Sequence, residues 1–231
     1  MIRRTSIELF ADSPQRYKDF VAQNGSDPWA LIGTVSWGRD KRDSAVWPTS
    51  GTNQGAFLEV ALPGADLKYW KATYQIQWYY PVLGPDLVLF LKGELGYADG
   101  YSNGTVPFYK NFYTGGVYSV RGYQTSTLGP RDINGPLGGT RKVVGNAELL
   151  FPIPGLGLER SVRLGPFFDV GQVWNNIPGQ ELSDVELRYS VGLEFNWNSP
   201  FGPITLTYGV PLNDKPTDQI QKFQFALGGR F

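Results

Sequence analysis

The last eleven residues of the chain, QKFQFALGGRF, alternate between two kinds of side chain as far as the final residue. Phe223, Phe225, Leu227, Gly229 and Phe231 fall on one face of an extended strand, and small or polar residues fall on the other. A period of two predicts a β-strand. Large apolar side chains facing out and polar ones facing in are typical of a strand in a transmembrane β-barrel.

The same alternation recurs upstream and predicts an all-β, antiparallel fold of about nine strands. Most of the predicted strands have the roughly 9–11 residues that a tilted membrane strand needs. With the terminal one, the predicted strands are residues 29–38, 54–62, 69–80, 87–97, 143–151, 162–174, 187–198, 204–210 and 221–231. The short SPFG turn at residues 199–202 predicts a hairpin between two of them.

The predicted connections differ in length at the two ends of the strands. Residues 83–86, 152–160 and 199–202 form short turns, whereas residues 98–142 form a very long loop. Short turns on one rim and longer loops on the other are typical of bacterial outer-membrane barrels. On the longer rim, residues 12–24 predict a short helix with Ser13 as N-cap, and residues 5–10 predict a strand stub.

A soluble β-sandwich also has alternating strands, so alternation alone leaves both folds open. In a sandwich the apolar faces pack against a second sheet, whereas in a membrane barrel they face lipid. We favour the barrel, because the predicted apolar faces are rich in Trp, Tyr, Phe and Leu.

Composition excludes several classes of function. The 21 basic residues balance the 21 acidic ones, so no net positive field favours nucleic acid. The chain has no cysteine and no histidine, which excludes thiol chemistry, Ser-His-acid catalysis and histidine-ligated zinc sites. We therefore predict a protein that is not an enzyme and that needs no metal or cofactor.

The amino terminus, MIRRTSIE, carries no apolar signal segment, and no run approaches the roughly 18 apolar residues of a membrane helix. An exported barrel needs a signal peptide. We therefore expect residues 1–231 to be part of a longer protein.

The long loop at residues 98–142 is rich in aromatic residues, which argues against disorder. If it folds into the barrel, Arg121 enters a space of lower dielectric constant and needs anionic partners. Glu148 and Asp169 are candidates, because each lies on the polar face of a neighbouring predicted strand. The alternative is that Arg121 is a solvated loop residue and that both carboxylates are ordinary lumen residues.

Several motifs resemble the carboxyl-terminal barrel of the BamA family of outer-membrane assembly factors, within the superfamily of outer-membrane assembly and secretion barrels. The matching segments, in order, are SVRGYQTSTLGPRD, NAELLFPIPG, FFDVGQVW, SPFGPITLTYGVPL and FQFALGGRF. The resemblance covers essentially the whole chain.

The resemblance implies that Val120, Arg121, Gly122 and Tyr123 form the tip of a loop locked in the lumen, where Arg121 contacts Asp169 and Glu148. It also implies a sixteen-stranded barrel preceded by periplasmic POTRA domains. Only about nine strands are recognisable in residues 1–231. The first strands and the POTRA domains are therefore expected outside this chain.

The resemblance further implies insertion of β-barrel proteins into the outer membrane of a Gram-negative bacterium, through a weak lateral seam and an exposed strand edge. The implied partners are outer-membrane lipids, unfolded outer-membrane proteins and, through the POTRA domains, accessory lipoproteins; no nucleic acid is expected. Gly228 and Gly229 weaken the terminal strand at such a seam, or they accommodate a neighbouring aromatic ring. Phe223, Phe225 and Phe231 would act as a terminal recognition signal.

Three alternatives remain open on the sequence. Two are relatives in the same superfamily, a two-partner secretion transporter and a TamA-type assembly factor. The third is a passive porin.

Overall fold

The computed structural model describes residues 1–153, 161–175 and 186–228. In chain order the strands and helices are β1 (Ile2–Arg4), α1 (Gln15–Asn24), β2 (Trp29–Asp40), β3 (Gly51–Leu62), β4 (Tyr69–Pro81), β5 (Val88–Gly100), a 3₁₀ turn (Phe108–Lys110), β6 (Gly122–Tyr123), β7 (Arg131–Asp132), β8 (Gly135–Pro136), β9 (Arg141–Pro152), β10 (Val162–Trp174), β11 (Arg188–Ser199), β12 (Gly202–Pro211), β13 (Ile220–Gln221) and β14 (Phe223–Leu227).

Ten of these strands form one antiparallel sheet. Within the sheet, the ten strands lie side by side in the order in which they occur along the chain. Its order is β1-β2-β3-β4-β5-β9-β10-β11-β12-β14. The small strands β6 to β8 and β13 make two separate two-stranded pairs, β6 with β13 and β7 with β8. The edges of the large sheet, β1 and β14, do not pair with each other in the described part of the chain.

The period of two gives the sheet two different faces. The outer face exposes large apolar side chains, including Val35, Trp37, Leu58, Tyr74, Trp78, Tyr80, Leu95, Phe168, Leu193, Tyr208 and Phe225. The lumen face buries polar and charged side chains, including Glu59, Gln77, Asn146, Glu148, Arg163, Asp169, Ser190, Glu194, Thr207 and Gln224. No second large sheet among the described residues covers the apolar face, so the sandwich alternative is wrong.

The two rims differ as expected for a barrel. One rim carries the connections at residues 41–50, 82–87 and 200–201, whereas the other carries residues 5–28, 63–68 and 101–140. The tight turn after β11 is held by Ser199, whose hydroxyl donates to Gly202 O and accepts from Phe201 N. Among the described residues, no helix is long and apolar enough to cross a bilayer.

Three local predictions were wrong in detail. The stub at residues 5–10 is not a strand: β1 lies earlier, at Ile2–Arg4, and Ile7 packs instead against the cluster around Phe20. Helix α1 begins at Gln15 without a side-chain cap, because the Ser13 hydroxyl accepts a hydrogen bond from Phe10 N. The long loop is shorter than 98–142, since β5 runs to Gly100 and β9 begins at Arg141.

Helix α1 lies on the long-loop rim, over the lumen face. Phe20 is buried against residues of β2, β3 and β4, which include Ile32 and Tyr69. Tyr17 stacks on Phe108 of the long loop with 4.0 Å between ring centroids. Burial, together with the interaction with Tyr113, raises the pKa of Tyr17 to about 12. The helix therefore packs the first half of the loop against the sheet.

Candidate functional site

The long loop, residues 101–140, folds back onto the lumen face and buries its own tip. Val120, Arg121 and Tyr123 have no solvent exposure, and Leu128 packs with Val120 and Tyr123. Gly122 has φ +87°, a conformation that a residue with a side chain rarely adopts. Gly122 thus lets the backbone turn between Arg121, whose side chain faces β10, and Tyr123 of β6.

Asp169 of β10 provides the main contact for Arg121. The Arg121 Nε donates to Asp169 Oδ2 at 2.7 Å and its Nη2 donates to Oδ1 at 2.5 Å. The backbone N–H of Arg121 donates to Asp169 Oδ2 at 2.9 Å. Asn146 of β9 also donates to Asp169 Oδ1, at 2.7 Å. A two-pronged pairing of this kind fixes both the charge and the orientation of the guanidinium.

Two further carboxylates contact the remaining guanidinium nitrogen. Arg121 Nη1 lies 2.7 Å from Glu148 Oε1 of β9 and 2.5 Å from Glu194 Oε2 of β11. The side chains of Asp169, Glu148 and Glu194 have no solvent exposure. Sequence analysis named Asp169 and Glu148 but missed Glu194. The available signal was its position on the polar face of β11, the strand that pairs with β10.

An aromatic ring completes the environment of the arginine. The guanidinium carbon of Arg121 lies 3.6 Å from the ring centroid of Phe167, two residues before Asp169 on the same face of β10. Burial alone lowers the pKa of Arg121, but attraction to Glu148, Asp169 and Glu194 outweighs it and places the pKa well above its ordinary value. Arg121 therefore remains a cation, held between one ring and three carboxylates.

The other side of the loop tip contacts the terminal part of the chain. Strand β6 pairs antiparallel with β13, so that Tyr123 is opposite Ile220 and Gly122 is opposite Gln221. The Gln124 N–H donates to Gln219 O at 2.8 Å. The tip therefore adds a short strand to the segment that leads into β14.

Gln224 of β14 makes a second link between the tip and the terminal strand. Its Nε2 donates to Tyr123 O at 2.7 Å, and its Oε1 accepts from Gly122 N at 3.3 Å. Gln224 is buried on the lumen face, opposite Thr207 of β12. A Cβ atom on Gly209 would lie 2.7 Å from Gly122 N, so the backbones of β12 and the tip touch directly.

The terminal strand exposes its predicted apolar face. Phe223, Phe225 and Leu227 are 62%, 53% and 71% exposed, which places all three on the outer face. Gly228 has φ +115°, and its N–H donates to Pro203 O at 2.8 Å. Gly229 and Phe231 lie outside the described residues. Among the described residues the strand pairs with β12 through five residue pairs, half the ten that join β12 to β11.

Lysines of β4 and β5 bind the first half of the long loop to the lumen face of the sheet. Lys92 Nζ donates to Tyr118 O and Lys71 Nζ donates to Lys110 O, each at 2.7 Å. Lys110 in turn pairs with Glu59 of β3 at 2.6 Å. The loop is therefore bonded along its length to both halves of the sheet.

A family model for the Omp85 superfamily domain matches residues 1–231. The chain belongs to the Omp85 superfamily. Family membership and the open antiparallel sheet together confirm the predicted barrel fold. They identify the sheet as part of an outer-membrane β-barrel of a Gram-negative bacterium, and the predicted absence of enzyme activity agrees with this family.

Known relatives confirm the resemblance to the BamA family. The outer membrane protein assembly factor BamA of Neisseria meningitidis is 40% identical over 98% of this chain and 33% of its own length. The protein of the same name from Nitratidesulfovibrio vulgaris is 35% identical over 87% of this chain and 25% of its own length. The 50 kDa subunit of the sorting assembly machinery of Saccharomyces cerevisiae is 27% identical over 95% of this chain and 47% of its own length.

A solved structure has the same fold. The crystal structure of BamA from Haemophilus ducreyi lacking POTRA domains 1–3 superimposes with a TM-score of 0.85 at 25% sequence identity, over 94% of this chain and 48% of that chain. The Omp85 chain described here thus spans between a quarter and a half of the length of these relatives.

Proposed function

We propose that this chain is the carboxyl-terminal part of the membrane barrel of an outer-membrane protein assembly factor. The support is its 40% identity to a relative named as such an assembly factor. In this proposal the first strands of a sixteen-stranded barrel and the POTRA domains belong to the rest of a longer protein. The partners are membrane lipids, unfolded barrel proteins and, through the POTRA domains, accessory lipoproteins.

The mechanism that we propose uses strand templating and no covalent chemistry. A sheet edge presents N–H and C=O groups in a fixed spacing, and an incoming strand can pair with them whatever its side chains are. The seam at such an edge must be weak enough to open. The outward-facing Phe223, Phe225 and Leu227, with Phe231, would meanwhile act as the signal by which the protein's own terminal strand is recognised.

The terminal strand is the observation that carries this proposal. In the described part of the chain β14 pairs with β12. In the proposed full-length barrel, its other edge is the one that faces the first strand. Its five residue pairs are few beside the ten or more that join each pair of adjacent long strands from β2 to β12. Gly228 and Gly229 at its end add little strand preference. We propose that this short pairing within the described residues makes β14 easier to displace than the long strands β2 to β5 and β9 to β12.

Disulfide cross-linking in the full-length protein tests the proposal. Cysteine replaces Phe225 or Ala226 of β14, and single cysteines scan one strand of a client that is stalled during insertion. We expect cross-links at client positions spaced two apart, because paired strands alternate their side chains between two faces. The matched control is Leu193→Cys, which lies on the same outer face but in the interior strand β11 and should form none.

Normal client insertion without any cross-link to β14 would contradict strand templating. A large, steady single-channel conductance that is unchanged by Arg121→Ala, in a protein that inserts no clients, would instead favour the passive porin.

A further inference from the structure

The loop tip and the terminal strand form one hydrogen-bonded unit on the lumen side of the sheet. On one side of the tip, the backbone and side chain of Arg121 bind Asp169 of β10. On the other side, Gly122 and Tyr123 bind β13 and Gln224. The tip therefore spans the sheet from β10 to β14, across β11 and β12.

From this geometry we infer that Gln224 is a positioning residue that couples the arginine loop to the terminal strand, so that the loop tip acts as a lumen-side splint for β14. It rests on the proposed function in one respect only, which is that the edge of β14 is the edge at which clients add. The inference requires no contact between Gln224 and a client. Gln224 acts through the position of β14.

The side chain of Gln224 is well suited to this role. Its amide carries both donors and an acceptor, and it uses one of each on consecutive residues of the tip: Nε2 donates to Tyr123 O, and Oε1 accepts from Gly122 N. It is 2% exposed, so water cannot replace these bonds without opening the site. Leucine has a similar size and neither polar group, which makes Gln224→Leu a direct test.

Two other contacts reinforce the splint without passing through Gln224. Gly122 and Gly209 let the backbones of the tip and β12 touch, and a Cβ atom on Gly122 would lie 3.0 Å from Gly209 C. The hydroxyl of Tyr118 donates to Gly228 O at 3.0 Å. The tip therefore meets the terminal strand near its beginning, through β13 and Gln224, and just past its end, through Tyr118.

The splint predicts that the lock at Arg121 protects a strand that Arg121 does not touch. With the tip in place, β14 is held by five sheet pairs and by the tip. Without the tip, the pairs with β12 are the sheet contacts that hold β14 within the described part of the chain. Loss of the lock at Asp169 should therefore increase local opening of β14, even though every sheet hydrogen bond of β14 can still form.

Hydrogen–deuterium exchange of the full-length protein in lipid nanodiscs tests the inference. Arg121→Ala and Gln224→Leu should each accelerate exchange in residues 220–228 by about tenfold, the change expected when one or two buried hydrogen bonds stop opposing a local opening. The double variant should exchange no faster than Arg121→Ala alone, because release of the tip already removes the hydrogen bonds that Gln224 makes to it. Gln77→Leu is the matched control: Gln77 is equally buried on the lumen face of β4, forms no hydrogen bond to the tip and should leave residues 220–228 unchanged.

A disulfide provides a second test, in which the oxidised and reduced forms of the same protein are compared. Tyr123→Cys with Ile220→Cys places two thiols at directly opposite positions of β6 and β13, in a chain that otherwise has no cysteine. Oxidation should slow exchange in residues 220–228 in the wild-type background, and it should restore protection in the Arg121→Ala background. Identical exchange in the oxidised and reduced forms would overturn the splint.

The inference is also wrong if Gln224→Leu accelerates exchange but Arg121→Ala does not, or if their effects multiply. Its failure is distinguishable from failure of the proposed function, because exchange is measured without clients. Coupled exchange in a protein that inserts no clients would keep the splint and reject the assembly function.

Discussion

Two networks of ion pairs lie on the lumen face of the sheet, and they differ in burial. Around Arg121 every partner is sealed from solvent, with side-chain exposures of 0–1%. The second network is centred on Glu94. Lys92 and Lys142 lie 2.6 and 2.5 Å from its carboxylate, and their side chains are 11% and 18% exposed. The distances are alike, whereas the contact with water is not.

The degree of burial decides how much each network contributes to the stability of the fold. A buried charge that loses its partner keeps the full cost of its desolvation, whereas a partly exposed one regains water. Counted at their formal charges, the three carboxylates and the one guanidinium of the Arg121 cluster sum to −2. The arginine is therefore the residue that makes burial of three acidic groups possible. The lysine network only reinforces the contact between β5 and β9.

The largest expected effect comes from removing the arginine. Arg121→Ala should destabilise the full-length protein by about 3–5 kcal/mol, because it removes the buried cation that three buried carboxylates contact. The measurement is the urea midpoint of the folded band, which migrates faster than the heated protein on semi-native gels. Arg4→Ala is the control: its pair with Asp27, at 3.6 Å, has side chains that are 70% and 52% exposed, and its removal should change little. Equal effects of the two substitutions would abolish the contrast between buried and exposed pairs.

An intermediate effect separates the carboxylates from one another. Asp169→Asn should cost about 2–3 kcal/mol, because an amide nitrogen then faces the donors of Arg121. Glu194→Gln should cost at most about 1 kcal/mol, because Arg121 keeps two anionic partners while the excess charge falls from −2 to −1. Urea titrations of both variants measure the difference. If Glu194→Gln proved the more damaging, the two-pronged contact with Asp169 would not be the centre of the lock.

The smallest effect is expected in the lysine network. Lys142→Met should cost about 1 kcal/mol or less, since Glu94 keeps its pair with Lys92 and both groups retain access to water. Raising the salt concentration should shrink this difference further, whereas the effect of Arg121→Ala should hardly change. A loss at Lys142 as large as that at Arg121 would show that solvent exposure does not set the hierarchy.

Much of the fold could be predicted from the sequence, because lipid and lumen impose opposite preferences on alternate residues. The long strands β2 to β5 and β9 to β12 follow directly from that pattern. Strand β1 does not, since Ile2, Arg3 and Arg4 are all exposed and show no alternation. The cap of α1 was mispredicted for a similar reason: the Ser13 hydroxyl has a competing local acceptor role that the sequence pattern does not reveal.

The candidate site was only partly predictable. Alternation places Asp169 and Glu148 on the lumen face, but it places Glu194 and Gln224 there too. Which of these a loop reaches depends on its path across the sheet, and that path is set by backbone contacts such as Gly122 with Gly209. Such contacts leave no periodic signal, so the sequence predicted the arginine and two partners but not the full set.

The pairing of the loop tip with the end of the chain has a consequence for the order of folding. Gly122 and Tyr123 bond to Gln224 across sequence separations of 102 and 101 residues, whereas Arg121 and Asp169 are 48 apart. Loop closure over such distances is slow and comes late. Synthesis and export run from the amino terminus, so Arg121 of the loop tip can bind Asp169 early. The tip cannot form its contacts with Gln224 until the final strand has arrived.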